Sequence, residues 1–326
     1  MICSKKRNTY VIAEIGINHE GNFEVCKELI LQAFNIGADA VKLQSIDPDK
    51  NYVVGSPSYR IFKNSQLSQN EHKKLFEYAA SLGIDIFTTA GDYETVDWLE
   101  ELDPPFWKIS SGLLTHTPLI KYLARLNKPI LLSTGMSDLN ELDKAIKQIE
   151  TEGNNKIAIL QCTSVYPTPL NQINLKVIQK LKKMYKYQIG FSDHSLGDDA
   201  VFLSIAAGAE IIEKHFSFDT NRAGYDHKVS LDQRSFADMI KRIELAEMLL
   251  GDDQKSITES ALVTKKNYSR FIVAEKQILH GEIFTVDNIA IKRTLPGTIG
   301  IEPERFEEIL GMKSSRSYQK DEPIIN

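Results

Sequence analysis

Two histidines, His194 in "GFSDHS" and His215 in "IIEKHF", each stand at the end of a short apolar run. Neutral imidazoles on neighbouring strands, about 5 Å apart, can share one divalent ion. Two such ligands leave positions open for water and substrate, as a catalytic site requires. Two packed core imidazoles are the structural alternative. Lys42 in "AVKLQ" and Lys108 in "FWKISS" each interrupt a run that otherwise reads as buried. A buried ammonium is costly unless paired, so each lysine either reaches solvent or meets an anion. Together with the hydroxyls of Ser111, Ser133 and Ser192, the two lysines would cradle a phosphate and a carboxylate. Glu14 in "IAEIG" offers a carboxylate for proton handling.

These residues need elements that bring them together. The strand candidates are 11–15, 40–44, 85–90, 106–111, 129–134, 157–163, 188–192 and 210–216. Helical patterns lie between them. One ends at Gly37; another opens at Asn70 as N-cap and stops at Gly83; a third is capped by Ser137 with Glu141 near it. Strand–helix units in this number predict a (β/α)8 barrel, with chemistry at the C-terminal ends of the strands. Glu14, Lys42, Lys108, Ser133, Ser164, Tyr166, Ser192, His194 and His215 all fall at or just beyond those ends, and in a closed barrel the first strand lies beside the eighth. An open doubly wound sheet is the rival, but no GxGxxG follows the first strand. The long segment 45–69 reads as a lid or binding loop.

The chain is 42% hydrophobic and 25% charged, with a net charge of −5, which gives no basic field for nucleic acid. No apolar run reaches the roughly 18–20 residues a bilayer needs, and no apolar segment follows the basic residues near the start, so a cytoplasmic protein is expected. Cys3, Cys26 and Cys162 lack a CxxC spacing; Cys26 and Cys162 are expected as small buried side chains. Residues 1–252 are expected as the barrel, 253–267 as a linker and 268–326 as a small mainly-β module.

The ordered set "IAEIGINHEGN", "VKLQ", "WKISSG", "ILLSTGM", "CTSVYPTP", "GFSDHS" and "IIEKHF" resembles the sialic acid synthase family. The segments "AIKRTLPGTIGI" and "ILGMK" resemble that family's C-terminal antifreeze-like (SAF) domain. The resemblance implies condensation of phosphoenolpyruvate with the open-chain aldehyde of an N-acylated hexosamine, with C–O cleavage and release of phosphate. The product would be a nine-carbon 2-keto-3-deoxy acid, and Mn2+, Mg2+ or Co2+ would assist. It also implies that His194 and His215 hold the metal and that Glu14 lies near metal and sugar. Lys42 and Lys108 would bind phosphoenolpyruvate; Ser111, Ser133, Ser192 and Tyr166 match family site residues. Asp226 in "GYDH" would orient or protonate sugar hydroxyls. Arg293 would read the sugar from the partner subunit, in a domain-swapped homodimer.

This chain departs from the family pattern at four places. Tyr225 replaces a proline, Ser164 stands where asparagine is frequent, and "KRTLPG" carries an insertion beside Arg293. Leu113 stands where a carboxylate associated with the sugar is usual; either it suits a deoxygenated or bis-acylated sugar, or it packs in the mouth while another group compensates. The alternatives to this function are a phosphoenolpyruvate-dependent barrel synthase for sugar phosphates and a non-catalytic sugar-binding protein.

Overall fold

The structure, a computed structural model, describes residues 2–325. Met1 and Asn326, the outer ends of the two expected domains, lie outside the described residues. The chain divides into two compact units, one up to Gly251 and one from Asp252.

In the first unit eight strands close into a barrel in chain order: β1 (Tyr10–Gly16), β2 (Ala40–Ser45), β3 (Asp85–Ala90), β4 (Trp107–Ile109), β5 (Ile130–Ser133), β6 (Ile157–Cys162), β7 (Gln188–Asp193) and β8 (Ile211–His215). The pairing is parallel throughout. β1 joins β8 with Tyr10 opposite Ile211 and Glu14 opposite His215. That closure rules out the open sheet.

Side-chain alternation along the strands sorts the residues into two layers. Outward positions such as Val11, Val41, Trp107, Ile130, Ile159 and Ile212 form a core with the surrounding helices. Inward positions change character with height. Tyr10, Ile12, Phe87, Phe106, Leu131, Leu160 and Ile211 fill the floor, joined by Ile2. One step higher the same faces carry Glu14, Lys42, Thr89, Lys108, Ser133, Ser192 and Glu213. The barrel is therefore an apolar plug beneath a charged mouth. Gly190 belongs to this packing, because a Cβ there would overlap the Ile211 carbonyl and the Leu160 side chain.

The helices of this unit are α1 (Phe23–Asn35), α2 (Pro48–Asn51), α3 (Pro57–Asn64), α4 (Gln69–Leu82), α5 (Tyr93–Glu100), α6 (Thr117–Arg125), α7 (Leu139–Thr151), α8 (Lys176–Met184), α9 (Asp199–Ala206) and α10 (Gln233–Leu250). Two helix starts differ from expectation. α4 is capped by Ser68, not Asn70, because Glu71 reaches back to the Ser68 N–H and completes a capping box. α7 is capped by Asp138, not Ser137, since Glu141 returns to the Asp138 N–H in the same way. Strand β4 is also shorter than expected. Ser111 opens a 3-10 turn, Ser111–Leu113, and its hydroxyl accepts the Gly135 N–H at 2.9 Å. The long segment after β2 is ordered around α2 and α3. Tyr52 stacks on Phe62, and the Tyr59 hydroxyl donates to Asp49 at 2.7 Å.

In the second unit α11 (Glu259–Tyr268) leads into β9 (Arg270–Ala274), which pairs antiparallel with β10 (Ile289–Arg293). The expected linker 253–267 is thus largely helical. Ile272, Ile278, Phe284, Ile289, Ile301, Ile309, Tyr318 and Ile324 form this unit's own core. The Tyr318 hydroxyl donates to the Ile325 carbonyl at 2.8 Å. A short helix, α12 (Phe306–Ile309), completes it. Among the described residues, no helix is long and apolar enough to cross a membrane.

Candidate active site

The mouth of the barrel is a cavity of about 520 Å3. Glu14, Lys42, Lys108, Ser111, Ser133, Ser164, Tyr166, Ser192, His194 and His215 all line it. They arrive from the ends of seven of the eight strands or the turns just after them, so closure of the barrel is what assembles the set. Asp226 stands beside it, in the segment between β8 and α10. Its Oδ2 is 3.8 Å from His215 Nδ1, and it lines a second cavity of about 500 Å3 that shares Tyr166. Asn18 fixes that segment by donating to the Phe216 carbonyl and the Ser230 hydroxyl, both at 3.0 Å, and by accepting the Asp226 N–H at 3.2 Å. Arg293 lies on β10 in the second unit, its guanidinium 5.3 Å from the centre of the Tyr268 ring.

The two lysines neither reach solvent nor stand unpaired. Lys42 Nζ lies 2.5 Å from Glu14 Oε2, and Lys108 Nζ donates to Glu213 Oε1 at 2.9 Å. Ser192 donates to the same Glu213 oxygen at 2.8 Å. All four charged side chains are buried. Glu213 is absent from the predicted site. The alternation that turns His215 inward turns Glu213 inward as well, so the signal for it was present. Gln44 and Thr89 reach the cavity by the same rule, and the Gln44 amide donates to Glu14 at 3.3 Å. Cys162 is buried as expected but also lines the mouth, with Sγ 3.6 Å from His194 Nδ1.

Charge in this closed space is unevenly shared. Burial pushes the Glu14 carboxyl up to about 7, against the pull of the Lys42 ammonium. Burial would also raise Glu213, but the Lys108 and Lys42 ammonium groups outweigh it and hold that carboxylate down to about 2. Burial lowers Lys108, whereas Lys42, which burial alone would also lower, is held charged by the carboxylates of Glu14 and Glu213. Of the two carboxyls, Glu14 is thus the one shifted toward the neutral form and Glu213 the one shifted toward the anion.

Among the described residues, five buried polar atoms on the cavity wall lack a hydrogen-bond partner: Thr89 Oγ1, Ser133 Oγ, Glu213 Oε2, His215 Nδ1 and Glu14 Oε2, the last meeting only the Lys42 ammonium as an ion pair. Such atoms are expensive unless a ligand or water completes them. The two imidazole rings are 5.4 Å apart between centres. His194 donates Nδ1–H to the Thr163 carbonyl at 3.0 Å, which leaves Nε2 as acceptor for the Tyr166 hydroxyl at 2.9 Å. Burial, reinforced by His194 and the nearby lysines, keeps His215 neutral. His194 is shifted the other way: burial would lower it too, but its contacts with the Cys162 thiol and the Thr163 carbonyl outweigh burial and favour the protonated ring. Among the described residues no three His, Cys, Asp or Glu side chains converge as a metal cage. The donor set fits an ion held by two imidazoles with its other positions open, not a closed structural site, and such an ion would displace the His194 proton.

Comparison with known proteins gives a consistent picture. A model described as the NeuB family matches residues 29–255. The chain is 35% identical to N,N'-diacetyllegionaminic acid synthase of Campylobacter jejuni, over 98% of this chain and 99% of that one. It is 32% identical to pseudaminic acid synthase of the same species, over 96% and 94% of the two chains. Among solved structures, the N-acetylneuraminic acid synthetase of Leptospira borgpetersenii superposes with a TM-score of 0.76 at 28% identity, covering 78% of this chain and 90% of that one.

Proposed function

Because the chain belongs to the NeuB family of sialic acid synthases and their relatives, we propose that it condenses phosphoenolpyruvate with the open-chain aldehyde of an N-acylated hexosamine. The new bond joins C3 of phosphoenolpyruvate to the aldehyde carbon. Water adds at C2, and the C–O bond to phosphate breaks, giving a nine-carbon 2-keto-3-deoxy acid and inorganic phosphate. The observation that carries this reading is that two buried lysines, Lys42 and Lys108, each paired with a glutamate, face one cavity beside the unpartnered hydroxyls of Thr89 and Ser133. A substrate bearing both a phosphate and a carboxylate answers that arrangement.

Each residue then has a physical task. Lys42 and Lys108 bind the two anionic ends and hold C3 near the carbonyl carbon, which removes most of the entropic cost of encounter. Ser111, Ser133, Ser164 and Ser192 supply small donors around the phosphate and carboxylate oxygens. Glu14, the carboxyl that burial poises near neutrality, takes the proton of the attacking water or returns one to the new hydroxyl. Asp226 and Tyr166 orient the sugar. His194 and His215 hold a divalent ion (Mn2+, Mg2+ or Co2+), which when bound supplies Lewis-acid polarisation of the aldehyde oxygen. In the same reading residues 268–326 are an antifreeze-like (SAF) module whose Arg293 reads the sugar's acyl or hydroxyl end in the partner subunit's barrel, and the protein is a domain-swapped homodimer in the cytoplasm.

The test is phosphate release from phosphoenolpyruvate with N-acetylmannosamine, its 6-phosphate, and 6-deoxy and 2,4-diacetamido hexoses, with and without EDTA. Turnover of a free sugar that EDTA abolishes supports the assignment. Turnover only of the phosphorylated sugar moves the protein to the sugar-phosphate synthases. Activity that survives exhaustive chelation removes the ion from His194 and His215. Sugar binding without phosphate release would leave a binding protein on this fold.

A further inference from the structure

Directly before the two histidines stand Asp193 and Lys214, paired in register on β7 and β8. They face away from the cavity. The residue opposite Lys214 on β1 is Ala13, which belongs to the outer core, while Ser192 and Glu213, one step earlier, point into the mouth. Neither side chain reaches solvent: Asp193 is 1% exposed and Lys214 0%. Lys214 Nζ donates to Asp193 Oδ2 at 2.7 Å and to the Ser195 carbonyl at 2.5 Å. Asp193 Oδ1 accepts the Ser195 N–H at 2.9 Å. The residues on both sides of His194 are thus tied to the residue before His215.

We propose that Asp193 and Lys214 are positioning residues that set the separation and orientation of the His194 and His215 rings, and so the affinity of that pair for a divalent cation. This rests on the two-histidine reading above. A fully buried ion pair is seldom a net source of stability, because desolvation offsets the Coulomb attraction. What this pair does supply is geometry. His194 follows the last residue of β7, where the ladder ends and the backbone is free to turn. The closed loop through Asp193, Ser195 and Lys214 fixes that turn against β8. Lys214 reaches both flanks of His194, so losing it loosens the backbone that carries His194, leaving the Thr163 and Tyr166 contacts to hold the ring alone. Partners that orient metal-binding histidines from behind have this kind of leverage on affinity.

The test measures Mn2+ binding by titration calorimetry, and by electron paramagnetic resonance of the free ion, on the full-length protein without substrate. In the double variant Asp193→Asn, Lys214→Met the charges go together, so no lone buried ion remains. It is expected to melt within a few degrees of the parent and to bind Mn2+ roughly 10- to 100-fold more weakly. Its affinity for phosphoenolpyruvate, measured separately without metal, is expected to stay unchanged. Asp193→Glu keeps the charge but lengthens the arm by one carbon; it is expected to fold and to bind Mn2+ several-fold more weakly, and it serves where the double variant does not fold. Parent-like Mn2+ affinity in either folded variant overturns the inference. A parent protein that binds no Mn2+ overturns the two-histidine reading itself, and this inference with it.

Discussion

Lys108 Nζ and Glu213 Oε1 lie 2.9 Å apart across the barrel, one carried by β4 and the other by β8. The pair spans the cavity, and Ser192 completes it by donating to the same oxygen. Removing one partner strands the other. Lys108→Met leaves the Glu213 carboxylate without its nearest counter-ion and away from water. That should cost about 3–5 kcal/mol in denaturant melts. It should also lower the rate of phosphate release ~100- to 1000-fold, as losing a preorganised charge in a closed site does. Glu213→Gln keeps the shape and one acceptor, so it should fold better than Lys108→Met and still lose activity. Unchanged melting and turnover in Lys108→Met would show that the ammonium is only filling space.

The mouth also depends on a contact outside the buried lysine–glutamate cluster. Asn51, at the end of α2, lines the cavity and donates to the Asp47 carbonyl at 2.8 Å and to Asp92 at 3.3 Å. It fits there because residue 91 is glycine; a Cβ would overlap the Asn51 amide. Gly91→Ala should therefore lift α2 off the turn after β3 without disturbing the barrel. The expected result is a rise of roughly tenfold in KM for the sugar, equivalent to about 1.4 kcal/mol, with melting temperature nearly unchanged. An equal loss of stability and affinity would place the damage in the barrel instead.

Stability should fall on mild acidification for a reason unrelated to catalysis. His19 and His72 are 3% and 4% exposed. Burial, with a contribution from the neighbouring His72, depresses His19 to about 4; burial also depresses His72. His72 already uses both ring nitrogens, one against the Ser68 carbonyl at 3.0 Å and one against the Ser45 hydroxyl at 2.7 Å. Below a pH of about 6.5 the unfolded chain binds protons at these sites while the folded chain does not. Stability is thus complete above that pH and is lost as pH falls toward 4, by about 3 kcal/mol from His19 alone. Urea unfolding between pH 7.5 and 4.5 should show this slope, and His19→Asn should flatten it. A slope indifferent to that substitution would assign the acid sensitivity elsewhere.

Much of this architecture is legible in the amino-acid sequence. All eight strands are visible because each is a short β-branched run between helical periods, and β3 matches to the residue. The inward set is legible too, since alternation from Ile12 to Glu14 or from Ile211 to Glu213 follows the chain. What alternation does not reveal is who pairs with whom. Lys42 and Lys108 read as cations awaiting an external anion, yet each meets a glutamate from another strand, and that partnership appears only when the ring closes. Two helices start one or two residues from the expected caps, because Ser68 and Asp138 win their caps through the reciprocal bonds of Glu71 and Glu141. Ser111 slipped from strand to turn for a similar reason, since its hydroxyl is claimed by the Gly135 N–H.

The sugar end of the cavity makes the last prediction. Leu113 and Met136 line the mouth, and Leu113 also packs against the outer core. In an extended open-chain sugar, the terminal carbon lies farthest from the reacting aldehyde and so toward the rim. A hydroxyl brought against Leu113 would exchange water for an apolar surface and lose a hydrogen bond, at about 1–3 kcal/mol. A methyl group there would lose nothing. Sugars lacking that terminal hydroxyl should therefore turn over roughly ten times better in kcat/KM than their hydroxylated counterparts. Leu113→Glu should narrow or invert the ratio by offering an acceptor, while KM for phosphoenolpyruvate stays constant because the lysines lie deeper. If Leu113→Glu leaves the ratio between the two sugars untouched, the terminal carbon does not face this residue, and specificity must be read from the opposite wall, at Tyr166 and Asp226.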